Sequence, residues 1–309
     1  MHVYPDYYKN FRCIAHKCRH NCCIGWEIGI DEDTLAKYRS TEGTLGERLR
    51  QHTDPADACF ILPESKRCPF LNSCNLCDII IEGGEEMLSV ICREHPRFHT
   101  SLPGRVESGL GLCCEEAARI ILSNKSPVTF ICEGGGDNCE DEIILLRDRI
   151  IGILQNRSIS VDERISRMLT LSKREAPSGT LSDRADFLLS LERLNESWTD
   201  MLLLLKDKGD EADMSTFDLF MKEREYEYEQ FLVYLIYRHF AVFSTLEEAA
   251  CVASFAALCY RIIKTLGAVI FAQKGSFTLE DQVELVRLFS SEVEYSDENL
   301  TAVLEELFI

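Results

Sequence analysis

The chain has 309 residues, 46 % of them hydrophobic, with a net charge of −19, which is enough for a substantial core in one large domain or two ordinary ones. So negative a surface repels phosphate backbones and anionic lipid, arguing against nucleic acid as a partner; it suits a lysine-rich protein segment, with plain solubility as the simpler reading. No apolar run is read as reaching the roughly 20 residues that span a bilayer, and the opening MHVYPDYYKNF has no apolar signal-peptide core. The expectation is a soluble, cytoplasmic protein with no membrane contact.

In chain order, the first half reads as short elements broken by turns. Trp26-Glu27-Ile28-Gly29-Ile30 alternates apolar and polar and predicts a short strand. Asp31 is placed to cap a helix through Leu35 to Tyr38. Leu76 to Ile81 reads as another strand, ended by Gly83-Gly84, and Glu115 to Leu122 as one or two helical turns. Val128 to Cys132 reads as a strand entering the glycine loop Glu133-Gly134-Gly135-Gly136-Asp137. That order mimics a nucleotide-cofactor loop, but no strand–helix alternation follows, and an ordinary turn is the simpler reading.

The second half reads as almost wholly helical. Helical spacing of apolar residues runs over Ile143 to Leu154, Ala185 to Leu205, and the aromatic-rich Phe217 to Phe243. Thr245-x-x-Glu248 is a capping-box signature before an alanine-rich helix reaching about Ala272. Two shorter helices start near Thr278 and Asp297, and Ser172 to Ser182 is the linker candidate. The aromatic stripe is read as core packing. The fold class expected is α-rich α+β: an irregular cysteine-rich, metal-binding N-terminal domain at 1–139, then an all-helical domain at 140–309.

Thirteen of the fifteen cysteines lie in the first 139 residues. They cluster as Cys13-x4-Cys18-x3-Cys22-Cys23, as Cys68-x5-Cys74-x2-Cys77, as Cys92 within Cys-Arg-Glu-His-Pro-Arg, and as Cys113-Cys114. Thiolates a few residues apart converge readily on zinc or an iron–sulfur centre. A disulfide framework belongs to short secreted chains, and adjacent cysteines do not bridge without strain. Cys59, Cys132, Cys251 and Cys259 read instead as small buried hydrophobes.

Specific blocks resemble the flagellin lysine-N-methylase family. Phe11-x-Cys13-x4-Cys18-x3-Cys22-Cys23-x2-Trp26-x-Ile28-x-Ile30-Asp31 is similar to its opening. Cys68-Pro69-Phe70-Leu71, Leu76-Cys77 and Cys92-x2-His95-Pro96-Arg97 are similar to its middle block. Leu112-Cys113-Cys114-x-Glu116-Ala117-Ala118-Arg119 is similar to its third block, and Tyr228-Glu229-x-Phe231-Leu232-Val233-Tyr234-Leu235 to its helical region. The resemblance implies methyl transfer from S-adenosylmethionine to lysines of flagellin, and an iron–sulfur cluster, [4Fe–4S], with zinc as the alternative. The cysteines it carries over as metal ligands are Cys13, Cys18, Cys22, Cys23, Cys68, Cys77, Cys92 and Cys114; Cys74 and Cys113 fall at positions expected to vary. Eight candidates exceed the four that one cubane needs, so either two centres exist or several cysteines support the fold.

Other residues keep two readings. Arg97 and Arg119 suit a carboxylate of cofactor or substrate, or else surface ion pairs. His95 suits a metal ligand, a base, or a capped loop histidine. Tyr4, Tyr7 and Tyr8 suit a methyl-lysine pocket, or packing against the cluster domain. The chemistry itself asks for a base, an in-line approach of nitrogen to the methyl group, and exclusion of water. The competing function classes are a non-catalytic metal-binding module that docks partners and an electron-transfer protein.

Overall fold

A computed structural model describes residues 1–135 and 141–308. Within them the chain is mixed α+β and mainly helical toward its C-terminus. Two compact units are interleaved along the sequence: one comprises residues 1–11, 99–113 and 117–309, the other 12–98 and 114–116. The expected domain boundary at 139/140 falls outside the described residues, as do Cys139 and the Gly136-Asp137 end of the glycine loop.

The larger unit joins a small sheet to a helical array. The sheet has the strand order Arg97–Leu102 (in this unit from His99), Arg105–Leu110, His2–Pro5, Phe130–Glu133. His2–Pro5 is parallel to the second (His2 against Val106) and antiparallel to the last (Val3 against Cys132). Tyr237 ties the helices to this sheet, its hydroxyl donating to the carbonyls of Val3 and Ser108. The helices begin with Glu115–Leu122, in this unit from Ala117, then Glu142–Leu154 and Val161–Leu171. Glu225–His239 is buried on nearly every side, and Leu246–Lys274 packs against it.

Leu246–Lys274 corrects one sequence reading. By length and composition it is the one described helix that would cross a membrane, and 83 % of its apolar window is buried inside the protein. A helix apolar all round is what the centre of a helical core requires. Thr245 caps its start by accepting from the Glu248 N–H, and Gly275 ends it at φ 72°, a left-handed conformation that glycine adopts without a Cβ penalty.

Two long helical readings are broken. Ala185 to Leu205 is two helices, Leu181–Ser190 and Glu196–Lys208. Asn195 starts the second by accepting from the Ser197 N–H, while Glu292 takes the Leu194 N–H. Phe217 to Phe243 is interrupted at Lys222–Arg224, where Arg224 reaches forward to pair with Glu227.

The smaller unit has its own core, with Ile28, Tyr38, Leu49, Phe60, Phe70 and Ile79 at its centre. Asp31 caps Glu32–Ser40 as expected, accepting from Thr34. Trp26 to Ile30 makes only an isolated bridge, Gly29 to Cys59, although Ile28 and Ile30 do point inward. Leu76 to Ile81 is a correction: Asp78–Gly83 is helical. Only Ile79 of its three isoleucines is buried, so the run does not need the two-sided burial of a central strand.

Candidate functional site

Within the smaller unit, backbone hydrogen bonds bring distant cysteines together. The Asn21 side chain accepts from the Cys23 N–H, and the Cys68 N–H donates to the Cys23 carbonyl at 2.8 Å. An isolated bridge joins Ile24 to Arg67 and another joins Leu71 to Cys77. The Arg67 guanidinium secures the following loop through the carbonyls of Leu71 and Asn72 and the side chain of Asn75. Cys23, Cys77 and Cys92 then pack against a core that includes Cys68.

Cys22, Cys23, Cys68, Cys77 and Cys92 form one electrostatically coupled set. The Cys23 thiol shares a hydrogen bond with Cys22, which lowers the pKa of Cys22 and raises that of Cys23. Burial pushes the Cys92 thiol up to about 11. Burial also raises Cys68 and Cys77, against the pull of backbone N–H groups: those of Phe70 and Leu71 on Cys68, those of Ile80 and Ile79 on Cys77. Peptide N–H groups aimed at sulfur are the outer-shell contacts that favour thiolates in metal and cluster sites.

His95 belongs to the same constellation. Its ring lies against Cys22, and its Nε2 is buried without a hydrogen-bond partner. An orphaned buried imidazole nitrogen on a ring that meets the Cys22 thiol matches, in donor chemistry, what zinc or an iron–sulfur centre takes. Among the described residues no set of three or more His, Cys, Asp or Glu side chains stands already arranged to hold a metal ion.

The remaining carried-over cysteines stand differently. Cys18 is within electrostatic reach of Cys22, but its thiol donates to the His20 carbonyl and Glu115, and burial pushes it up to about 11. Cys13 is exposed and accepts from the Ala15 N–H. Cys114 is half-buried, at the edge of the smaller unit, and Cys74 is exposed. Cys113 belongs to the larger unit and meets Tyr295. Arg97 lies in the smaller unit and Arg119 in the larger. Cys251 and Cys259 are buried as expected; Cys59 is half-buried and Cys132 exposed, which corrects their reading as core residues.

Tyr4, Tyr7 and Tyr8 are part of the larger unit, not of the cysteine-bearing one. Tyr4 stacks obliquely on His2 and Tyr8, carries the Lys9 ammonium 4.9 Å above its ring, and donates to Glu133. The cation over Tyr4 is thus supplied by the chain itself.

Sequence reasoning missed a buried polar network in the larger unit. His239 and Glu294 are hydrogen-bonded, and Arg238 donates to the hydroxyls of Tyr234 and Tyr295. Glu294 closes the π-helical turn Ser290–Glu294, an irregularity that recurs at functional sites. Arg238-His239, directly after the apolar run from Phe231 to Tyr237, was the signal available in the sequence.

Residues 179–308 match the family model of the FliB lysine N-methylase C-terminal domain. In this stretch, less than half of the chain, the protein is similar to the FliB lysine N-methylases. The matched region runs from Leu181–Ser190 through Asp297–Phe308 and holds the whole Arg238–Glu294–Tyr295 network. The chain is 28 % identical over 133 residues to a lysine-N-methylase of Salmonella choleraesuis (strain SC-B67), covering 39 % of this chain and 32 % of that protein. The lysine-N-methylase of Salmonella typhimurium (strain LT2) aligns to the same extent. The flagellar biosynthetic protein FliU of Salmonella muenchen is 26 % identical, over 39 % of this chain and 76 % of FliU. The match thus spans about a third of the length of the lysine N-methylases. No solved structure matches the chain.

Proposed function

We propose that this protein methylates lysine side chains of flagellin with S-adenosylmethionine as methyl donor. The observation that carries the reading is the lysine N-methylase C-terminal domain at residues 179–308; the flagellar name of the FliU relative supports the substrate. The acidic surface suits a lysine-bearing partner. The protein's tasks are to take a proton from the lysine ammonium, through a carboxylate or tyrosine, and to hold nitrogen, methyl carbon and sulfur in line away from water. A pH–rate profile flat from acid to alkaline would overturn that acid–base step.

The metal centre belongs to the same proposal. Cys22, Cys23, Cys68, Cys77 and Cys92, with His95 beside them, would hold an iron–sulfur cluster, or zinc in its place. Their packing against the core of the smaller unit supports an architectural role, in which the metal staples an irregular domain. Co-expression of flagellin with the native chain, and separately with Cys22→Ala plus Cys68→Ala, tests the proposal by intact mass. Methyl-sized increments with the native chain alone support it. Their absence with a soluble, metal-loaded native chain overturns the methylation reading for this substrate.

A further inference from the structure

The larger unit carries a polar groove of about 520 Å³, within the roughly 300–1,000 Å³ of small-molecule sites. One wall is the turn at Asp6 and Asn10; the other is the end of the Glu115–Leu122 helix and the turn after it, with Arg119, Ser123, Asn124 and Ser126. A carboxylate and a guanidinium therefore line the same groove, among carboxamides and hydroxyls.

Both walls are anchored by the fold. The Asp6 N–H donates to the Thr129 carbonyl at 2.8 Å, and its carboxylate accepts from the Thr129 N–H at 3.3 Å. Across the groove, the buried Gln230 side chain donates to the carbonyls of Asn124 and Ser126 at 2.9 and 2.7 Å. Between them, Arg157 donates to the Lys125 carbonyl at 2.7 Å and is itself gripped by both oxygens of Glu229. Walls fixed in advance reduce the ordering cost of binding.

We infer that this groove binds the α-amino-acid end of an adenosyl-type methyl donor: its carboxylate on Arg119, its ammonium on Asp6, and its nucleoside hydroxyls and ring nitrogens against Asn10, Ser123, Asn124 and Ser126. Opposite charges in one groove select a zwitterion, and a guanidinium recognises carboxylate in a bidentate, geometry-specific way. The volume leaves room for a nucleoside beyond the amino acid. The inference rests on the methyl-transfer reading above and assigns it a donor site.

The test is calorimetric titration of the full chain with S-adenosylhomocysteine, and in separate arms with methionine and with adenosine. It compares the native protein with Arg119→Gln and Asp6→Asn, and the melting temperature of each variant checks its fold. Native binding of S-adenosylhomocysteine, weakened at least about tenfold in both variants at unchanged melting temperature, is the expected result. Equal binding in native protein and variants overturns the site while leaving methylation standing. Methionine binding as tightly as S-adenosylhomocysteine, and lost in both variants, assigns the groove to a free amino acid and overturns its adenosyl part. A native protein that binds no S-adenosylhomocysteine overturns the inference, and flagellin mass increments from the same preparation then decide whether methyl transfer survives without it.

Discussion

His239 Nε2 and Glu294 Oε1 lie 2.6 Å apart, and neither side chain reaches appreciable solvent. Burial lowers the pKa of His239, with Glu294 opposing. Burial also disfavours the Glu294 carboxylate, yet His239 and Arg238 hold its pKa below the usual range. A group whose pKa is depressed by folding contributes stability above its unfolded value and loses it as pH falls. The pair should therefore cost stability first below about pH 6.5, as His239 is forced to charge, and again below about pH 4.3. Melting temperature measured from pH 7.5 to 5.5 should fall less steeply in His239→Gln than in the native protein; equal slopes would show that His239 does not contribute.

Glu107 is the acid of a buried triad with Arg105 and Arg147: Arg147 donates to its carboxylate at 2.5 and 3.0 Å, and Arg105 donates to it as well. Removing the acid leaves two buried guanidinium groups with Asp148, itself largely exposed, as the remaining carboxylate beside Arg147. Glu107→Ala should destabilise by about 3–5 kcal/mol. Denaturant unfolding measures it, and a loss below about 1 kcal/mol would mean that water reaches the triad.

Gly111 stands where a Cβ would come within 1.8 Å of the Tyr295 hydroxyl. Gly111→Ala must displace Tyr295 and with it the bond from Arg238. The expected loss is about 1–3 kcal/mol. Combined with Tyr295→Phe, the two changes should cost less than their sum, because the closest contact is gone. Strict additivity would show that the backbone moves instead.

If the proposed metal centre is right, metal content should separate the clustered cysteines from the others. Purified without added chelator, Cys68→Ser and Cys77→Ser should lose bound iron or zinc, while Cys74→Ser and Cys251→Ser should retain it. Elemental analysis per chain checks this, and equal metal in all four variants would place the centre elsewhere.

Local signals in the sequence predicted local structure well where the relevant partner was close by. Asp31 and Thr245 cap helices because a cap needs only the N–H groups two or three residues ahead. Breaks inside helical periodicity were harder to see. Asn195 carries an N-cap signal, but the apolar spacing runs on past it, and the contact that seals the break comes from Glu292, 98 residues from Leu194. Leu76 to Ile81 failed for the converse reason: a short apolar run does not state its period, and burial of Ile79 alone decided for the helix.

Cysteine spacing pointed to a thiol-rich centre and to the candidates for it, because donors a few residues apart are a property of the chain. Which of them meet was a tertiary decision. Cys23 and Cys68, 45 positions apart, are joined by a backbone hydrogen bond, while Cys13, much nearer to Cys23 in sequence, faces solvent. The sequence by itself determined the charge, the helical second half and the inventory of thiols, all of which depend on composition and short-range periodicity. Only the tertiary structure decided the grouping of five thiols with His95, the His239–Glu294 network and the Asp6–Arg119 groove, because each depends on contacts between residues far apart in the chain that leave no local pattern to read.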